Sequence, residues 1–305
     1  MITTFSTMRH PVPRRRSRLS IIATLLAATL LLAGCGIALR LGYNQGPSLA
    51  FRWLDGYAEF DDAQSLRVRA ALDEFFTWHR RTQLPDYVEL LSRARAELPG
   101  TATAERMCAW SQDLRTRFDT AIEHAVPAMA EIVPTLSTQQ IASIEKRYAA
   151  KNEEYRGEFL QRDPARRRKA QTEREIERAE DFYGRLDADQ RAFVAKAIAE
   201  SPWDGDLAYA ERLRRQSDLL SVVRRLSAQR AGPAEAEAEV RAWLKRAARS
   251  PHEPYWRYST KLVEYNCAYA ADLHNLTTAE QRRKAVRKIK GYEDELRALA
   301  GDGAS

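Results

Sequence analysis

The chain has 305 residues, 44% hydrophobic and 30% charged, with 49 Lys and Arg against 42 Asp and Glu and a formal charge of +7. Five of the basic residues (Arg9, Arg14, Arg15, Arg16, Arg18) crowd into the first 34 positions, where no acid stands, so the remainder sets 44 cations against 42 anions. That near-balance excludes a nucleic-acid reading drawn from net charge, and the high charged fraction suits solvent-exposed helices.

The N-terminal segment reads as an export signal. Arg14 to Arg18 supply a positive end and Leu19 to Leu32 an apolar run, and Leu32-Ala33-Gly34-Cys35 matches the lipobox of bacterial lipoproteins. The run is shorter than the roughly 20 residues a spanning helix needs. The expected outcome is cleavage before Cys35, with diacylglyceryl and acyl (palmitate-type) chains on that residue. Two or three such chains hold stably, because each buried methylene contributes about 0.8 kcal/mol. Gly36, where inner-membrane lipoproteins commonly carry Asp, favours the outer membrane. The expected organisation is a signal peptide at 1–34, a lipidated tether at 35–46 and one all-α domain at 47–305.

The domain opens on an aromatic-rich helix, Pro47 to Phe60, carrying Phe51, Trp53, Leu54, Tyr57 and Phe60. Helical spacing of Val68, Leu72, Phe75, Phe76 and His79 predicts a helix over Asp61–Gln83. Pro85 should end it, and Asp86 should cap a short helix bearing Tyr87, Leu90 and Leu91. Thr103–Val126 follows, with Met107, Trp110, Leu114, Phe118, Ile122 and Ala125 on one face, and Pro127 and Pro134 should bracket a break. Further helices are predicted at Ser137–Gln161, Pro164–Leu186, Asp187–Ser201, Leu207–Gln229, Ala234–Ser250, Tyr255–Asn275 and Thr277–Ala300. No alternating strand pattern appears, so the fold class is all-α, an irregular bundle of about ten helices.

Four predicted helix starts share a form: Phe60-Asp61-x-x-Gln64, Leu136-Ser137-x-x-Gln140, Leu186-Asp187-x-x-Gln190 and Leu276-Thr277-x-x-Glu280. Each is a capping box, in which the cap oxygen accepts from an orphan N–H and the Gln or Glu reaches back. Plain capping explains them. Their Leu-Thr-x-x-Gln form also resembles helix starts of the small periplasmic chaperones of the Spy and CpxP type and of the helical lipase foldases. That resemblance implies client binding without ATP. A longer match, Trp78-His79-Arg80-Arg81-x-x-Leu84-Pro85-x-Tyr87-x-x-Leu90-Leu91 downstream of the lipobox, is similar to a family of uncharacterised Gram-negative lipoproteins. It implies an exported all-α lipoprotein and no activity.

Once Cys35 is lipidated, Cys108 and Cys267 remain. A disulfide between them is expected in an oxidising compartment, the alternative being two buried thiols. The four histidines beyond the signal, His79, His124, His252 and His274, form no metal-binding spacing, and no nucleophile elbow or phosphate loop occurs. No metal, cofactor or catalytic residue is therefore expected. His79 lies on an apolar face beside Trp78 and Arg81. Trp78, His79, Arg81 and Tyr87 are the candidate binding surface for a peptide or glycan, against the plainer reading of a hydrogen-bonded core histidine. The basic run Arg282, Arg283, Lys284, Arg287, Lys288 and Lys290 is either a solvated face or an anion contact. The expected role is a non-enzymatic, membrane-anchored lipoprotein that binds or assists a periplasmic protein or glycan. The alternatives are a structural lipoprotein without a client, and a glycan-processing enzyme using an unidentified Glu.

Overall fold

The structure is a computed structural model that describes residues 34–301. The signal at 1–33 lies outside the described residues, as does the side chain of Cys35. Two units are distinguished, 1–43 and 44–305. Helix α1, Gly34–Asn44, accounts for the described part of the first, except that its last residue, Asn44, belongs to the second. The segment expected as a tether therefore has helical backbone over most of its length.

The second unit carries the remaining helices: α2 Gly46–Ala58, α3 Asp62–Trp78, α4 Leu84–Glu97, α5 Ala104–Ile132, α6 Thr138–Phe159 and α7 Pro164–Tyr183. They are followed by α8 Ala188–Glu200, α9 Gly205–Gln229, α10 Pro233–Ala248, α11 Glu253–Leu276 and α12 Ala279–Gly301. Among the described residues there is no strand. The all-α multi-helix bundle expected from periodicity is the fold.

Two prolines behave differently from expectation. Pro85 does not end a helix. A π turn, His79–Gln83, joins α3 to α4, and Leu84 N–H donates to His79 O five residues back. In a regular helix a proline ring clashes with the carbonyl four residues earlier, and the wider turn breaks that four-residue step just before Pro85. Asp86 consequently sits inside the helix, where it pairs with Arg117 at 2.8 Å. Pro127 lies within α5, which runs on for five more residues. Val126 and Ala130, on either side of it, are both buried against Val222, Leu226, Ala236 and Val240 of α9 and α10. This packing on both flanks outweighs the roughly 3 kcal/mol an interior proline costs. The chain turns only at Val133–Thr135, a 3₁₀ turn containing Pro134.

The core is divided. Leu136 and Ile141 pack with Ala58, Leu220 and Val223 at one end. Leu186 and Val194 pack with Ala179 and Leu273 at the other. Helix α5 packs on α11, and α12 packs on α4. Cys108 of α5 is bonded to Cys267 of α11, with Cα atoms 5.3 Å apart. Two further expectations fail on α5. Leu114 and Phe118 are 55% and 61% exposed, so the middle of the expected apolar face stays open to solvent.

Candidate functional site

The recurring helix starts are brought together in pairs. Asp61 caps α3 and Ser137 caps α6, each in a complete capping box with Gln64 and Gln140. The two glutamine amides also bond each other: Gln140 Nε2 donates to Gln64 Oε1 at 2.6 Å, and Gln64 Nε2 to Gln140 Oε1 at 3.3 Å. Each then reaches the backbone ahead of its partner's cap, Gln64 Nε2 to Thr135 O and Gln140 Nε2 to Glu59 O.

The same clasp recurs at the other end. Gln190, boxed with Asp187, exchanges two 2.8 Å bonds with Gln281. Gln190 Nε2 also donates to Leu276 O, and Gln281 Nε2 to Arg185 O. The fourth start is thus Thr278-x-x-Gln281, one residue later than the expected Thr277-x-x-Glu280. Thr278 Oγ1 accepts from Gln281 N–H, and Thr278 N–H donates to Gln281 Oε1. A glutamate there would lack the N–H groups that cross to the partner helix. Thr277 is instead buried, its hydroxyl donating to His274 O.

His274 is buried beside this second clasp. Its Nε2 lies 3.0 Å from Gly100 O, so that nitrogen carries the proton, and Nδ1 accepts from Tyr183 Oη at 3.0 Å. Burial lowers the imidazole's affinity for a proton, the Gly100 carbonyl opposes this, and Arg282 lowers it further. Burial also pushes the Tyr183 hydroxyl up to about 12. The residue ties α7, α11 and the Pro99-Gly100 turn together. It was not singled out beforehand, since a lone histidine carries no sign of its partners.

Of the candidate surface, Trp78, His79 and Tyr87 do meet. Phe75 lies 5.7 Å from Trp78 and 5.8 Å from His79, and His79 is 5.8 Å from Tyr87, ring centre to ring centre. His124 of α5 joins them, stacked on Trp78 at 3.7 Å and 10°. These rings are half-buried apart from the exposed His124, and Arg81 is exposed beside them. Burial lowers the proton affinity of His79, which favours a neutral ring in an apolar contact strip.

The two buried glutamates are anchors. Burial pushes the Glu293 carboxyl up, but hydrogen bonds from Arg95 and Arg297 outweigh it and hold it below the usual carboxylate range. Glu211 has the same balance, with Arg214, Arg215 and Ser250 as donors. Both are ionised pairing partners, the opposite of the raised pKa a general acid needs. Half of the basic run on α12 is engaged in contacts with other residues of the chain. Arg282 donates to the carbonyls of Gly100 and Asn275, Lys288 pairs with Asp181, and Lys290 pairs with Asp294.

A family model matches residues 56–236, more than half of the chain. The chain belongs to the family of unknown function DUF6279. The matched span holds the whole Gln64–Gln140 clasp, the Trp78–Tyr87 strip, Cys108 and Gln190. Cys267 and Gln281 lie beyond it. No curated protein and no solved structure matches the chain.

Proposed function

We propose that this chain is a lipoprotein held through acyl chains on Cys35, facing the periplasm from the outer membrane, whose helical body binds or assists other envelope components without catalysis. The observation that carries the location is the lipobox Leu32-Ala33-Gly34-Cys35 behind a basic, apolar leader. The Cys108–Cys267 bond supports it, because disulfides persist in exported proteins. Among the described residues no helix is long and apolar enough to cross a membrane.

The binding role is supported by the strip of Phe75, Trp78, His79, Tyr87 and His124. Half-buried aromatic rings present a large contact area at small entropic cost. The chaperone-like form of the role draws on the Leu136–Gln140 and Leu186–Gln190 starts, whose glutamines in this fold hold helices together. The test is a photo-crosslinking residue placed at Arg81 in intact cells. A discrete crosslink to an envelope protein or glycan is the expected result, and recovery of the monomer alone would count against a binding role.

A further inference from the structure

Away from the Trp78 strip, α6, α9 and α11 bring a second aromatic group together around one arginine. Asn152 of α6 is buried, and its Oδ1 accepts from Arg212 Nε at 2.8 Å and from Gln216 Nε2 at 3.0 Å. Asn152 Nδ2 donates back to Gln216 Oε1 at 2.7 Å, so the amide is fixed and Arg212 is held by one edge. Its guanidinium lies over the Tyr155 ring, 5.1 Å from the centroid.

The neighbouring arginines are neutralised and Arg212 is not. Arg214 and Arg215 both bond Glu211, and Arg214 also bonds Asp218 and the Arg246 carbonyl. Among the described residues no carboxylate lies within ion-pair distance of Arg212, and its two terminal nitrogens make no hydrogen bond. The cation is half-buried, so it is partly shielded from water without a counter-charge.

Tyrosines surround it. Tyr155 stacks on Tyr209 at 5.8 Å and 14°, and Phe159 is 4.8 Å from Tyr155. Tyr255 and Tyr258 of α11 lie 5.7 Å apart, with Arg215 over the Tyr255 ring. Burial raises the proton affinity of Tyr155, Arg212 lowers it and Tyr255 adds to it. Burial likewise raises that of Tyr258, the Asp204 backbone opposes this, and Tyr255 and Tyr155 add to it. Tyr258 is occupied, its hydroxyl accepting from Asp204 N–H at 3.0 Å. Gly205 keeps the edge of the group tight: a Cβ there would stand 2.4 Å from the Trp203 ring and 2.6 Å from Leu160.

We propose that Arg212, Tyr155 and Tyr255 form a binding site for an acidic saccharide, with Arg212 taking its carboxylate. The inference rests on the reading that this chain binds envelope components, and it narrows the partner class. With Nε committed to Asn152, the outer nitrogens of the fork remain, and a planar pair of N–H donors matches the two oxygens of a carboxylate. Arg212 and Arg215 already lie over the Tyr155 and Tyr255 rings and Tyr209 stacks on Tyr155, so the tyrosines would border a bound sugar with their ring edges and hydroxyls.

The test is calorimetric titration of the purified chain with N-acetylmuramic acid, N-acetylglucosamine 6-phosphate and neutral N-acetylglucosamine. The expected result is binding of the muramic acid, no measurable binding of the neutral sugar, and a loss of at least tenfold in affinity in Arg212→Gln and in Tyr255→Phe. Tyr255→Phe removes only a hydroxyl, so it keeps the test valid should Arg212→Gln unfold. Absence of muramic-acid binding overturns the site, as does equal affinity for the neutral sugar. Binding of the phosphate sugar alone overturns the carboxylate assignment. If none of the sugars binds while crosslinks at Arg81 persist, the acidic-saccharide site falls and the general binding role stands.

Discussion

Gln64 and Gln140 bond each other through both atoms of their side-chain amides, 76 residues apart in sequence. Gln190 and Gln281 repeat the arrangement across 91 residues. In each clasp the amide oxygen of one glutamine accepts from its own cap N–H and from its partner, while its NH₂ donates to its partner and to a backbone carbonyl. Every donor and acceptor of the four amides is thereby used. Each clasp sits on a buried leucine, Leu136 at one end and Leu186 at the other.

Replacing Gln140 by Glu should therefore cost more than a lost cap. It removes two donors and puts a carboxylate at a buried site beside Gln64 Oε1. A loss of about 3 kcal/mol is expected, which lowers Tm by roughly 6–12 °C in a domain of this size. In a double-mutant cycle, Gln64→Ala with Gln140→Ala should be less damaging than the sum of the two alone by about 1–2 kcal/mol. Additive losses would show that the amides do not act as a unit.

The Cys108–Cys267 bond closes a loop across a sequence separation of 159 residues and links α5 to α11. Loop-closure entropy alone predicts about 5 kcal/mol of stabilisation. Thiol alkylation without reductant should leave both residues unlabelled. The Cys108→Ala, Cys267→Ala double variant should melt well below the intact protein, and an unchanged melting temperature would remove the bond from the list of structural anchors.

Stability should fall at both pH extremes through one contact. His274 holds its proton less tightly in the fold than when unfolded. Its contribution is complete above the ordinary imidazole value of about 6.5 and is lost as pH drops below it. Tyr183 is pushed the other way, to about 12. Its contribution is complete below the ordinary tyrosine value of about 10 and is lost as pH rises toward 12. Denaturant midpoints measured from pH 5 to 11 should show both arms. Tyr183→Phe should flatten the alkaline one, and an alkaline arm unchanged in that variant would contradict the assignment.

Glu293 is a buried carboxylate between Arg95 and Arg297, and it pins α12 to α4. Glu293→Ala removes the carboxylate shared by Arg95 and Arg297; both arginines keep solvent access and Arg297 keeps Asp294, so a loss of about 2 kcal/mol is expected. Because its pKa is lowered in the fold, its contribution is present above the ordinary Glu value and fades as pH falls through the folded one. A chemical-denaturation series at pH 7 and pH 3 should show the gap between wild type and Glu293→Ala narrowing at the lower pH.

Helices were legible because apolar spacing and capping boxes are local. Asp61, Ser137 and Asp187 announced three starts correctly. What the caps do beyond capping was not legible, since no local pattern reveals that Gln64 faces Gln140. At the fourth start, Thr277-x-x-Glu280 and Thr278-x-x-Gln281 both fit a capping box. The partner Gln190 and the Arg185 carbonyl select the second, because only an amide can donate to them. Prolines misled for a related reason. Pro85 and Pro127 break helices in isolation, and the π turn at His79 and the packing of Val126 and Ala130 are what accommodate them. Spacing was enough to place Trp78, His79 and Tyr87 near one another, while His124, 45 residues beyond His79, could enter only through the fold. Arg212 gave no signal at all in a chain with 49 basic residues. Its distinction lies in the carboxylate it lacks.

Membrane attachment in this protein would depend first on Cys35. The most direct measurement is mass spectrometry of the N-terminal peptide of the chain produced in a Gram-negative host fed labelled palmitate. The predicted result is a mature chain beginning at an acylated Cys35, labelled in wild type and unlabelled in Cys35→Ser. An intact residue 1–34 segment with an unmodified Cys35 thiol would contradict it.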